Sequence, residues 1–172
     1  MKTVAVFGNK EKNDFLMSIT KVLNLLGINL KFVTEESIVA EKYFDYIILF
    51  SNASLLKASF NCGFCFIDMD ESQDNSIDVY GNIIAIGFGS KNTVTISSVE
   101  NENDGFVYCL QRYLNVNAFR MLEPQEIPVN VEFDSEIELY VYMICITIAL
   151  IEGVDSDEVE EKLNSRCFVK NI

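Results

Sequence analysis

The stretch Lys2-Thr3-Val4-Ala5-Val6-Phe7-Gly8-Asn9-Lys10-Glu11-Lys12-Asn13, with Phe15, Ile19, Val22, Leu23, Leu25 and Leu26 after it, decides the fold. Lys2–Phe7 is a short apolar run that reads as a buried strand, and Gly8–Asn13 is a polar turn. The near-helical spacing that follows ends at Gly27, a residue suited to a helix stop. A strand, a glycine turn and a helix in succession open an α/β domain.

Working outward, Ile28–Val33 reads as a second strand, Ser37–Tyr43 as a short helix, and Tyr46–Phe50 as a third strand. A brief helix over Ala53–Ser59 leads to a fourth strand at Phe64–Met69, followed by a polar loop at Asp70–Asp78. This alternation predicts a mainly parallel sheet flanked by helices, because parallel neighbours need crossover connections. The pattern then changes. Ile83–Gly87, Thr93–Val99, Phe106–Gln111 and Ile127–Phe133 are short strands with only turns between them, so they are expected to pair antiparallel. Glu100–Gly105 reads as an acidic hairpin turn. Two helices close the chain: apolar Glu136–Glu152, stopped by Gly153, and one begun by Asp155 with Glu158 at capping-box spacing. The expectation is one α/β domain over residues 1–172, with a short antiparallel extension.

Composition narrows the functional classes. A chain of 172 residues with 49% hydrophobic and 23% charged residues can bury a core. The 26 acidic against 13 basic residues leave a net charge of −13, which opposes binding to nucleic acid or to anionic membrane surfaces. The first residues read as a strand and not as a secretory signal. The longest apolar run, Leu139 to Ile151, falls short of the ~20 residues a bilayer needs. Five cysteines and no histidine point to a reducing, cytoplasmic setting, and they exclude Ser-His or Cys-His nucleophile pairs and histidine-ligated metals.

The Gly8–Asn13 turn occupies the place of a P-loop, where glycines let backbone N–H groups wrap a phosphate and a lysine neutralises it. Gly8, Asn9, Lys10, Lys12 and Asn13 are therefore the candidate nucleotide- or anion-binding residues. Glu11 stands where a glycine should precede the lysine, and it brings a like charge towards any polyanion. Asn13 replaces the hydroxyl that would hold magnesium. The turn reads either as an ordinary strand-to-helix connection or as a weak anion seat.

Cys62-Gly63-Phe64-Cys65 is a CxxC, so Cys62 and Cys65 are candidate redox residues or half of a zinc site. The residues after it read as strand, which withholds the helix dipole that would lower a thiol pKa. No second CxxC exists, and Cys109, Cys145 and Cys167 lie singly, so buried thiols are the competing reading. Asp68 with Asp70 and Asp155 with Asp157 could hold magnesium or serve as acid and base, or could be solvated ends of elements. Tyr140 and Tyr142 read as core or interface.

Several segments together resemble the central domain of the Mur peptide ligases. Gly8-Asn9-Lys10-Glu11-Lys12-Asn13 is similar to that family's Gly-Thr-Asn-Gly-Lys-Thr loop, and Phe66-Ile67-Asp68-Met69-Asp70-Glu71 to a strand ending written Leu-Asn-x-Asp-Asp. Ile84–Gly89 with Val94–Val99 looks like the strand pair that closes the domain. Ile144–Asp155 resembles the Ala-rich helix that ends in Gly-Ile/Val-Asp, and Glu158–Leu163 continues it. The resemblance implies a cytoplasmic scaffold descended from ATP- and magnesium-dependent amide-forming ligases of cell-wall precursor synthesis.

The departures from that family imply lost chemistry. Phe50 to Phe64 leaves almost no room for the segment with the magnesium-binding glutamate and histidine. Counted back from Gly153, the adenine-side asparagines fall on Glu138 and Val141. The family's separate amino-terminal and carboxy-terminal domains have no counterpart in this sequence. The expectation is a degenerate, non-catalytic domain, a pseudoenzyme with no cofactor, that acts through a protein partner or self-association. The alternative is a remnant that binds ATP and magnesium, or another anion, weakly through Gly8–Asn13.

Overall fold

The computed structural model describes residues 1–8, 12–33, 43–50, 58–70, 77–99 and 105–165, with the side chains of Lys12, Asn13, Ala58 and Ile77 outside the description. Two compact units interleave along the chain: Met1–Lys12 with Asn29–Ile86, and Asn13–Ile28 with Gly87–Ile172. The class is α/β, with parallel pairing in the first unit and antiparallel strands and helices in the second.

The first unit carries β1 (Thr3–Phe7), β2 (Lys31–Val33), β3 (Tyr43–Leu49), β4 (Ala58–Asp68) and β5 (Ile77–Ile86). They lie in the order β2-β1-β3-β4-β5, and the pairings among them are parallel. Their interior is aliphatic and aromatic, with Ala5, Phe7, Phe44, Ile47, Leu49 and Cys65 in one buried cluster. Near-continuous apolar runs such as Tyr46–Leu49 are what strands buried on both faces require.

Three expectations change here. Tyr43 opens a strand rather than ending a helix, and 37–42 of that expected helix lie outside the described residues. Ala58 and Ser59 begin β4 rather than ending a helix, whose other residues, 53–57, also lie outside. β5 starts at Ile77, not Ile83, and pairs parallel with β4. The cause is Gly81-Asn82, a dipeptide that reads as a turn but sits inside the strand. A Cβ on Gly81 would collide with the Cys62 carbonyl oxygen and stand 2.6 Å from its Sγ, so only glycine lets the two strands close there. Of the expected Asp70–Asp78 loop, 71–76 lie outside the described residues, and Ile77 and Asp78 are strand.

The second unit holds α1 (Lys12–Leu26) from Asn13 onward, β6 (Val94–Val99), β7 (Phe106–Leu110), β8 (Leu114–Asn117), β9 (Arg120–Leu122), β10 (Gln125–Val129), α2 (Glu136–Glu152) and α3 (Ser156–Asn164). β7 pairs antiparallel with both β6 and β10, as the sequence pattern predicts. The expected hairpin turn lies outside the described residues at 100–104. β8 and β9 form a separate two-stranded hairpin that sequence reading passed over. Strand β10 ends at Val129, four residues short of expectation, although Val131 and Phe133 are still buried.

Helix α2 is apolar on nearly every side, and twelve of its residues are buried, which marks a core helix. Its polar exception is Thr147. The Thr147 hydroxyl donates to the Met143 carbonyl at 2.7 Å and accepts from the Tyr108 hydroxyl of β7 at 2.9 Å. Burial pushes the Tyr108 phenol well above its ordinary range. The Cys145 thiol donates to the Ile19 carbonyl, tying α2 to α1.

Both long helices end alike. Gly27 (φ 83°) and Gly153 (φ 102°) take the left-handed conformation, and the next N–H reaches back to Leu23 or Ala149. Neither helix has a basic residue in its last turn, yet each C-terminus receives a cation from elsewhere. Lys162 donates to Leu26 at 2.9 Å, and Arg120 donates to Leu150 and Ile151 at 2.7 and 3.0 Å. These donors cover carbonyls that the helix cannot satisfy, at its negative end. Asp155 is the N-cap of α3 as expected, but the capping box does not form. Its side chain makes no cap bond, and Glu158 pairs instead with Lys162 at 2.7 Å.

Candidate functional site

Gly8 follows β1 with φ 78°, so the first glycine of the expected turn adopts the conformation that glycine makes inexpensive. Asn9, Lys10 and Glu11 lie outside the described residues. Lys12 and Asn13 form the start of α1, and their side chains are likewise outside the description. Of the positions aligned with adenine-side asparagines, Val141 is 1% exposed in the core of α2. The Glu138 carboxylate accepts the Asp134 N–H at 2.9 Å.

Cys62 and Cys65 both lie in β4. Three residues apart on a regular strand, they would point to opposite faces. The pairing of β4 with β5 slips by one residue between Asn61 and Phe64, and both cysteines join the same buried cluster. Interaction with Cys65 lowers the Cys62 thiol pKa against the opposing effect of burial, while Cys62 and burial push Cys65 far up. One proton is thus easier to remove than the second, and both thiols are core groups on a strand.

The carboxylate pairs separate. Asp68 is buried and accepts the Asp70 N–H at 3.0 Å, closing its own turn, whereas Asp155 is exposed at the start of α3. Tyr140 meets Phe88 edge-on at 5.4 Å and Tyr142 meets Phe106 at 5.3 Å, which makes both part of the aromatic packing. Among the described residues no three His, Cys, Asp or Glu side chains gather as a metal site, and no helix is long and apolar enough to cross a membrane.

The second unit contains a cleft that the sequence did not announce. Pairing sets Thr95 of β6 opposite Cys109 of β7, and Cys109 opposite Glu126 of β10. Tyr108, next to Cys109, points to α2, so alternation turns this three-residue row to the other face. The row lies in an open cleft of about 700 Å³, with Phe88, Gln111 and Gln125 also on its walls. Arg112 donates to the Lys91 carbonyl at 2.8 Å and the Gln111 N–H reaches Thr93 at 2.9 Å, which fixes the preceding loop beside the strands.

Thr95 is 4% exposed, and its hydroxyl is the buried side-chain polar atom without a partner among the described residues. Such a group forfeits its hydration and receives nothing in return. Burial pushes the Cys109 thiol up, and Glu126 beside it adds to the rise, so at neutral pH the row presents a hydroxyl, a neutral thiol and a carboxylate-bearing residue. A hydroxyl, a thiol and a carboxyl side by side can hydrogen-bond a polar ligand. The signal in the sequence was the alternation within Thr93–Val99 and Phe106–Gln111, which already puts Thr95 and Cys109 on the less apolar faces. Their alignment required the register of both pairings.

No family model matches the chain, and no curated protein matches it.

Proposed function

We propose that this chain is a non-catalytic, Mur-ligase-like binding or regulatory protein associated with cell-wall precursor metabolism, acting in the cytoplasm, and that the cleft over Thr95 is its ligand seat. The observation that carries the binding role is the Thr95 hydroxyl, buried and unpartnered in a cleft large enough for a small molecule. The ligase relationship rests on the sequence resemblance around Gly8, Asp68 and Gly153. Glu11 and Asn13 oppose ATP chemistry at the turn. Titration with ATP and Mg²⁺ is expected to give neither micromolar binding nor phosphate release. Turnover under those conditions would remove the non-catalytic reading.

A second reading keeps a weak anion site at the turn, and the positive φ of Gly8 favours it. On that reading Lys12→Ala weakens nucleotide binding and Glu11→Gly strengthens it. Equal affinities for both variants and the parent protein would leave the turn a connection only.

A further inference from the structure

Resting on the cleft as the ligand seat, we infer that the Thr95–Cys109–Glu126 row selects a small organic cation, a primary ammonium group carried on a compact apolar body. Among the described residues, Glu126 is the only charged one on the cleft wall, and no lysine or arginine lines it. Two cationic residues adjoin lining residues in sequence, Lys91 and Arg112; neither lines the cleft, and Arg112 is held through one guanidinium nitrogen by the Lys91 carbonyl. An anionic ligand would therefore face a carboxylate with no cation on the wall to offset it. The chain's net charge of −13 adds to the bias.

Hydrogen-bonding capacity points the same way. An ammonium group has three donors and no acceptor. The row offers acceptors in the Glu126 carboxylate and the Thr95 hydroxyl oxygen, and Gln111, two residues after Cys109 on the same strand face, also lines the cleft. The Thr95 hydroxyl, shielded from water and unpartnered, gives up no existing hydrogen bond when it turns towards the ligand. The apolar part of the ligand has its counterpart in Phe88 and Pro124. Phe88 is held edge-on against Tyr140 at 5.4 Å, which fixes an aromatic ring on the cleft wall. The thiol of Cys109 stays protonated and contributes no competing positive or negative charge.

The test uses the whole chain and three probes of one shape: benzylammonium, benzyl alcohol and benzoate. Amide NMR shifts of Thr95, Cys109 and Glu126 are followed during each titration. Benzylammonium is expected to move all three saturably, about tenfold more tightly than benzyl alcohol, with no response to benzoate. Glu126→Gln, on an exposed strand position, should remove that tenfold preference. Equal binding of amine and alcohol, or an amine affinity indifferent to Glu126→Gln, overturns the cation inference while leaving the cleft a ligand seat. Preferential benzoate binding overturns it as well. Silence of all three amides towards all three probes overturns the ligand seat itself.

Discussion

The two units treat their polar groups differently. In the parallel unit, Asp45 accepts the Thr3 N–H at 2.8 Å and the Thr3 hydroxyl at 3.1 Å, and Asp68 accepts from Asp70. These carboxylates serve their own backbone, at the places where strands begin or turn. In the antiparallel unit, Tyr108 and Thr147 satisfy each other across a buried contact, and Arg120 and Lys162 finish two helix ends. Against that background Thr95 stands out, because it is buried in the same unit and satisfies nothing. The contrast teaches where to look for function. Polar groups of the first unit are consumed by the fold, while the second unit leaves one in reserve, inside a cleft.

The hardest way to break the comparison is to disturb the close strand contact of the parallel unit. Gly81→Ala puts a methyl group into the Cys62 backbone and sulfur, where neither neighbour is a flexible side-chain end. Overpacking of this kind should cost about 3 kcal/mol, read as a lowered urea midpoint at unchanged slope. Cys62→Ala in the same background removes the sulfur but not the carbonyl, so it should restore only part of the loss. A cost near zero would mean that β4 and β5 are not held as closely as the glycine implies.

A smaller effect tests the satisfied pair of the second unit. Thr147→Val leaves the Tyr108 hydroxyl buried without its acceptor, whereas Tyr108→Phe leaves the Thr147 hydroxyl still bonded to Met143. The first should cost about 2 kcal/mol and the second about 1 kcal/mol, because stranding a buried donor is worse than losing one bond of two. Chemical denaturation of both variants reads the order. The reverse order would show that the Tyr108 hydroxyl finds another partner.

How far the sequence foretold this arrangement depends on whether the signal was local. The first strand, the helix up to Gly27, and the apolar helix closed by Gly153 were legible, because periodicity and stop residues sit within one turn of each other. Strand β5 was cut short because Gly81-Asn82 carries turn chemistry locally, and its reason for being in a strand lies across the sheet at Cys62. The capping box failed for a similar cause: Glu158 had a better partner in Lys162, one turn away. The CxxC was visible, but the slip in register that puts both thiols on one face was not. Least legible was the cleft, since Thr95, Cys109 and Glu126 are 14 and 17 residues apart in order and meet only through two registers.

The smallest predicted change is the sharpest, because its sign is opposite to that of its twin. Thr95→Val is the same substitution as Thr147→Val, in the same unit, at a position that is also buried. Shape and β-branching are retained, so neither backbone propensity nor packing volume should dominate. What differs is the hydroxyl's account of hydrogen bonds: two for Thr147, none for Thr95. Replacing an unsatisfied buried hydroxyl by a methyl group removes a desolvation cost, so Thr95→Val should raise stability by about 1 kcal/mol in the ligand-free protein. The same variant should weaken benzylammonium binding severalfold, since the ligand loses the hydroxyl it would engage. Stability gained together with binding lost is the pattern expected of a group kept for a ligand. Stability lost would show that Thr95 already spends its hydrogen bonds on the fold, and would place the second unit beside the first.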